Sequence, residues 1–169
     1  MKNILLVLTI SFSTLGFSQN ETIEAFLEKW QNSKTYLIDI AKAMPEENYS
    51  FKPTEREMSF GDQLLHIKGN MDWLSTSYFT NETFDKKKET KTYTKDEIIL
   101  MLEKSFNTVY DIIKNTPADK LKEKVDFFAG EKTKLQILNL LQDHVTHHRG
   151  QLIVYLNLKE VTPPKYVGW

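Results

Sequence analysis

The stretch Asp143-His144-Val145-Thr146-His147-His148-Arg149-Gly150-Gln151 holds three of the chain's four histidines, the fourth being His66. It sits inside an apolar series, Leu135, Leu138, Leu141, Val145, Leu152, Tyr155 and Leu156, whose spacing predicts a helix. That helix opens with the capping box Thr133-Lys134-Leu135-Gln136 and runs to about Lys159. A helical residue advances about 100° around the axis. His144 and His148 therefore lie one above the other, with Gln151 on the same face. His147 falls to one side and Arg149 points away. Two imidazoles four apart on one face can bind one metal ion. Two polar side chains on a helix surface is the plainer reading, but the flanking leucines argue that this face is buried. Buried imidazoles need partners, and a metal is one way to supply them.

Three more helical patterns precede this one. From Asn20 to Met44, Ile23, Phe26, Leu27, Trp30, Leu37, Ile40 and Ala41 form one apolar stripe, with Asn20 or Thr22 as cap and Pro45 after its end. Residues 46–58 connect, with Tyr49 and Phe51 expected to pack against the helices. Ser59, with Asp62 three residues on, opens a second helix reaching about Phe79, close to a capping box but with Asp in place of Glu or Gln. His66 lies in its second turn, among Leu64, Leu65 and Ile67, and is expected to point inward. Asp62, Asn70 and Trp73 share its face.

Thr80–Tyr93 is polar and lysine-rich and reads as a solvated loop. Thr94-Lys95-Asp96-Glu97 is a capping box opening a third helix that ends before Pro117. Ala118–Lys132 is irregular, with Val125-Asp126-Phe127-Phe128 an extended piece before a turn at Ala129-Gly130-Glu131. After Pro163-Pro164 the tail cannot continue the fourth helix, and Tyr166 and Trp169 are expected to fold back. Four amphipathic helices with no strong strand signal predict an all-α, four-helix bundle. The connections leave up-down and crossover topologies both open.

A chain of 169 residues fits one domain, and 40% hydrophobic with 27% charged residues is an ordinary globular mixture. A net charge of −1 carries no nucleic-acid footprint. The absence of cysteine excludes disulfides, zinc–thiolate sites, cysteine nucleophiles and lipid attachment at a cysteine. Any transition-metal site must use His, carboxylate, amide or water ligands. Met1-Lys2-Asn3, the apolar Ile4–Phe17 and the small residues of Gly16-Phe17-Ser18 have the form of a signal peptide over residues 1–18. The mature domain is then 19–169, exported to a periplasm or secreted, with no stable membrane association after cleavage. The rival is an uncleaved anchor, although the apolar run is short for a membrane span.

Ser59-Phe60-Gly61-Asp62-Gln63-Leu64-Leu65-His66, together with His144-Val145-Thr146-His147-His148-Arg149-Gly150-Gln151-Leu152 and the later Pro163-Pro164, resembles the DinB/YfiT-like proteins. These share a four-helix fold with the bacillithiol and mycothiol S-transferases. The resemblance covers most of the mature chain, and the His-x-x-x-His-Arg-Gly-Gln piece is its more specific part. It implies a divalent metal ion (zinc, nickel or similar) held by His66, His144 and His148, with His147 a neighbour that does not ligate. It also implies a metal-dependent hydrolase or thiol S-transferase acting on a small molecule, or a member with no catalysis. The thiol transferases work inside the cell, whereas this chain carries an export signal, so the thiol cosubstrate does not carry over directly.

Three imidazoles leave a position open on the ion, as catalytic sites do. Asp62 and Asn70 near His66, and Gln151 near His148, are candidates to accept the ligands' second N–H, although Asp62 reads first as a helix-start residue. No general base, acid or nucleophile stands out. Arg149 is expected to pair with a carboxylate of a neighbouring helix, and Gly150 to permit close helix packing. A non-catalytic metal-binding or stress-associated bundle is the alternative to an enzyme, and a bundle whose histidines are only core polar groups is the third reading. A homodimer is left open.

Overall fold

The computed structural model describes residues 2–85 and 91–169, except for the side chains of the first twenty. The four helices are α1 (Lys2–Ala43), α2 (Phe60–Phe79), α3 (Lys95–Lys114) and α4 (Lys134–Leu158). A two-stranded antiparallel ladder, β1 (Lys124–Val125) with β2 (Lys132–Thr133), precedes α4, with Lys124 opposite Thr133. The fold is thus an all-α bundle with one small hairpin, and the expected extended piece survives only as that hairpin. The expected signal peptide over residues 1–18 falls where the side chains lie outside the described ones, and its cleavage after Ser18 stays an expectation. Among the described residues no helix is long and apolar enough to cross a membrane.

Local chemistry sets the helix starts. Thr94 accepts from the Glu97 backbone N–H at 3.2 Å while Glu97 Oε2 accepts from the Thr94 N–H at 2.9 Å, a complete capping box. Thr133 and Gln136 repeat this at α4, with distances of 3.3 and 2.8 Å. At α2 the box is half made. Ser59 Oγ accepts from the Asp62 N–H at 3.1 Å, and the Asp62 carboxylate takes the Ser59 hydroxyl at 2.6 Å instead of reaching back to the backbone. Aspartate is one methylene too short for that reach. The caps expected at Asn20 or Thr22 are absent because α1 runs through both residues without a break.

Side-chain contacts give the helix order. Lys95 Nζ on the carbonyls of Lys42 and Met44, and Trp30 Nε1 on the Phe106 carbonyl at 3.0 Å, make α1 and α3 antiparallel. Gln63 on Tyr155 and His66 on His144 make α2 and α4 antiparallel. Gln142 on Ser33 and Arg149 over Tyr36 make α1 and α4 parallel. Gly61 against Ile98, and Asp72 accepting from Ser105 at 2.5 Å, make α2 and α3 parallel. α1 and α2 sit diagonally, each flanked by α3 and α4. α2 and α3 are consecutive helices that run the same way, so the topology has one crossover.

The core follows the expected stripes. Trp30, Leu37, Ile40, Phe60, Leu64, Ile67, Leu102, Phe106, Leu141, Val145 and Leu152 are all buried. Leu135 departs from its stripe, being 38% exposed in the first turn of α4 beyond the reach of the facing helices. Tyr49 is buried and donates to the Ala41 carbonyl at 2.8 Å, which ties the first connection to the end of α1. The tail returns along α1: Tyr166 meets Tyr36 edge-on, Lys29 lies over the Trp169 ring, and Lys29 Nζ donates to the Gly168 carbonyl.

Two expectations on α4 are corrected. Gly150 is exposed, and a Cβ there would meet nothing within 4 Å, so it permits no close approach. Arg149 is 7% exposed, and among the described residues no carboxylate pairs with it. Its guanidinium lies 5.1 Å from the Tyr36 ring centre and donates to Ser33 Oγ at 3.3 Å. Aromatic stacking replaces the salt bridge because the α1 face opposite offers Ser33 and Tyr36. Gly150→Ala is therefore expected to stabilise the protein by up to about 1 kcal/mol in urea unfolding, the helix-propensity difference with no steric charge against it. A loss of stability would restore a packing role for the glycine.

Candidate metal centre

His66 from α2 and His144 and His148 from α4 converge. Their ring centres stand 4.9, 4.6 and 4.4 Å apart, and one ligand-capable nitrogen from each falls within 4.8 Å of the others. The Nε2 atoms of His66 and His144 are 3.1 Å apart. An ion with tetrahedral bonds of about 2.0–2.1 Å holds its nitrogens about 3.3 Å from one another, so this spacing already matches one edge of such a site.

Two helices are needed because one cannot finish the set. The i, i+4 relation stacks His144 and His148, and the antiparallel α2 brings His66 across from both. His148 is 7% exposed, His144 is half-buried, and His66 is exposed. His66 was expected to point inward. Its ring does meet the other two, but from the solvent side of α2, while Leu64 and Ile67 face the core. It forms the open lip of the cluster.

The orientation of His148 is set by amides. Its Nδ1 lies 2.6 Å from Gln63 Oε1 and 2.8 Å from Gln151 Oε1. Both oxygens are acceptors, so Nδ1 carries the proton and shares it between them. The Nε2 lone pair is then left facing the cluster. Gln63 is held in turn: its Nε2 donates to the Tyr155 hydroxyl at 3.4 Å, and that hydroxyl donates to the Met58 carbonyl at 2.8 Å. The site is thereby pinned to the residue preceding the α2 cap. Gln151 was anticipated from its place on the His144–His148 face. Gln63 was not, although it stands three residues before His66, within helical reach of the same side. Tyr155 read only as an apolar position.

Other expected neighbours fall outside the centre. Asp62 is exposed and engaged with Ser59, a helix-start role. His147 is exposed, with its ring edge-on to His148 at 4.8 Å. Neither belongs to the three-nitrogen group, so among the described residues no fourth histidine or carboxylate joins it. Asn70 Oδ1 and His144 Nδ1 are both buried and without a hydrogen-bond partner.

A family model described as DinB family matches residues 17–167. The chain belongs to the DinB family. Within 147 residues it is 27% identical to the uncharacterized protein YjoA of Bacillus subtilis (strain 168), covering 81% of this chain and 88% of that protein. The crystal structure of that DinB-like protein superposes with a TM-score of 0.70 at 20% identity, over 84% of this chain and 96% of the other. A DinB-like protein from Bacillus cereus ATCC 10987 superposes with a TM-score of 0.75 at 19% identity, over 85% and 97%. At these identities the superpositions establish a shared bundle.

Electrostatically the three rings of this DinB-family chain suit a cation. Burial pushes the His144 imidazole down to about 3, with the neighbouring His148, His66 and His147 adding to the effect. Burial and then His66 push His148 down to about 4, against the opposing hydrogen bond of Gln151. At neutral pH both rings are uncharged and their lone pairs are free to ligate. Three convergent lone pairs repel one another unless a proton or a cation lies between them, so the donor set fits a divalent ion.

The lowered values have a stability consequence in chelator-treated protein. Below the ordinary histidine value near 6.5 the unfolded chain takes up protons that the folded chain refuses. Stability is thus full above pH 6.5 and falls as the pH drops toward 4. Melting temperature followed from pH 7.5 to 4 should decline in the wild type and decline less in His148→Gln. Equal slopes would mean that these rings are not held neutral.

Proposed function

We propose that this chain is a metal-dependent enzyme of hydrolase or transferase type. It would act on a small molecule at a divalent ion held by His66, His144 and His148. The single observation that carries this reading is the convergence of three imidazole nitrogens with no fourth histidine or carboxylate beside them among the described residues. Structural zinc sites are closed by four protein ligands, whereas catalytic ones keep a position for water or substrate. An ion bound there would supply Lewis acidity to a water, thiol or carbonyl group.

The chain's own residues have distinct parts in this reading. Gln63 and Gln151 hold the His148 proton on Nδ1 and so present Nε2. His144, half-buried between its neighbours, forms the inner wall. His66 stands at the solvent-facing lip, on the side from which a substrate would enter. Export belongs to the same proposal, and rests on Lys2, the apolar run Ile4–Phe17 and the small residues before Gln19. A periplasmic or secreted location favours hydrolysis over transfer from an intracellular thiol. One observation favours a non-catalytic metal-binding bundle as the second reading: the three-nitrogen group contains no carboxylate to serve as general base.

Elemental analysis of protein purified without chelator should find about one divalent ion per chain, and His66→Ala and His144→Ala should lose it. Chelation should lower the wild-type melting temperature by several degrees, since a ligand at 100 times its Kd stabilises by about 2.7 kcal/mol. A metal-free wild type whose melting point ignores both chelator and added zinc would overturn the proposal.

Gln63→Leu tests how the site is held. It leaves all three rings in place but removes one acceptor from His148. Zinc affinity measured by competition with a chromophoric chelator should fall by about 10- to 100-fold. An unchanged affinity would mean that Gln151 suffices alone.

A further inference from the structure

Among the described residues, three buried side-chain oxygens have no hydrogen-bond partner: Asn32 Oδ1, Asn70 Oδ1 and Gln142 Oε1. One buried ring nitrogen is in the same state, His144 Nδ1. A buried polar atom left unpaired is costly and uncommon, so each asks for an explanation. The nitrogen belongs to a ring of the three-histidine centre.

Only one of the oxygens stands where His144 can use it. Gln142 lies two residues before His144, more than half a turn round the axis of α4. Its Nε2 donates to Ser33 of α1 at 2.9 Å, on the side away from α2. Asn32 lies on α1 itself. Asn70 lies on α2, the helix that brings His66 to the centre. Because α2 and α4 are antiparallel, one turn forward on α2 matches one turn back on α4. His66 meets the His148 ring with centres 4.6 Å apart. Asn70 is one turn beyond His66, and His144 is one turn before His148. Asn70 therefore faces His144 as His66 faces His148.

The two atoms are chemically complementary. The amide oxygen only accepts. His144 Nε2 lies 3.1 Å from His66 Nε2, so Nε2 is the atom aimed at the centre. With the Nε2 lone pair given to an ion, the ring proton is on Nδ1, which then only donates. The same pairing is already made one turn along α4, where His148 Nδ1 stands 2.6 Å from the amide oxygen of Gln63, also an α2 residue. His66 is exposed, so water can serve its second nitrogen. His144 Nδ1 is buried and has to find its acceptor in the protein. Burial likewise shuts Asn70 Oδ1 off from solvent, so it can serve only another part of the chain.

We propose that Asn70 is a positioning residue of the metal centre, its Oδ1 accepting the His144 Nδ1 proton and so presenting Nε2 to the ion. α2 then supplies one ligand, His66, and an amide oxygen for each ligand of α4: Gln63 for His148 and Asn70 for His144. The inference rests on the metal-binding reading above, and holds for a catalytic and a non-catalytic centre alike. The oxygen contributes to metal affinity and not to the metal-free fold. Its removal therefore moves the two in different directions.

The test compares the full chain with Asn70→Leu, Asn70→Ala and Asn70→Asp. Zinc affinity, measured by competition with a chromophoric chelator, should fall about 10- to 100-fold in Asn70→Leu and Asn70→Ala. Asn70→Asp keeps an acceptor in the same place and should bind zinc at least as tightly as the wild type. After chelation, Asn70→Leu should melt no lower than the wild type, because an unpartnered buried oxygen has given way to an apolar group of similar size. In zinc-loaded protein, long-range proton–nitrogen resonance spectra should show His144 protonated at Nδ1. That signal should shift in Asn70→Leu while the His148 signal stays. A wild type that takes up no zinc overturns the metal reading and this inference with it. A wild type that binds zinc no better than Asn70→Leu and Asn70→Ala overturns this inference alone. So does a lost affinity that Asn70→Asp fails to restore, or a His148 signal that moves as far as that of His144, since the asparagine would then only pack. If Asn70→Leu does not fold, Asn70→Ala decides.

Discussion

The proton on His148 Nδ1 is shared between Gln63 Oε1 at 2.6 Å and Gln151 Oε1 at 2.8 Å, and much of the molecule bears on that contact. It crosses from α4 to α2, so it holds the only two helices that supply histidines to the centre. It fixes which imidazole nitrogen faces inward, so it decides the chemistry as well as the packing. Through Gln63, Tyr155 and the Met58 carbonyl it reaches the backbone just before Ser59, where α2 begins. A polar network of this kind is tolerable in a buried setting only because each member has a partner.

Around that contact the bundle supplies stiffness. Trp30, buried and donating to the Phe106 carbonyl, locks α1 against α3 on the side away from the histidines. Arg149 adds a second lock between α1 and α4 through Tyr36 and Ser33. Arg149 and His148 are consecutive residues, so the same turn of α4 faces the cluster with one side chain and α1 with the next. The polar residues near the centre of α4 are thus divided between building a site and fastening the helix that carries it. Two concavities on the described surface, each of about 550 Å3, contain none of the histidines. The centre instead is a shallow convergence with His66 at its lip, the form expected where a ligand approaches an ion from solvent.

The departures from expectation share a cause. Leu135 and Gly150 both sit at correct helical spacing, yet one is exposed and the other packs against nothing. Periodicity tells which residues share a face but not how far the facing helix extends. Gln63 and Tyr155 illustrate the same limit from the other side. Each is legible as a member of a helix, but their meeting depends on α2 and α4 being antiparallel and adjacent. Asp62 shows where local reasoning was sufficient, since a side chain three residues from a serine cap needs no tertiary contact to find its role.

The amino-acid sequence by itself determined the four helices, two complete capping boxes, the stacking of His144 over His148 and the place of Gln151 beside them. Helical geometry and hydrogen-bonding reach over three or four residues are enough for these. Its motif pair also sufficed for the family, which the match over residues 17–167 establishes. The tertiary structure alone decided the crossover topology, the exposure of His66, the partner of Arg149 and the entry of Gln63 into the site. It also decided that Phe127 and Phe128 meet Trp73, across more than fifty residues of chain. Those facts depend on which helices become neighbours, and that is settled by how apolar faces of unequal length fit together in three dimensions, a global balance that no local spacing encodes.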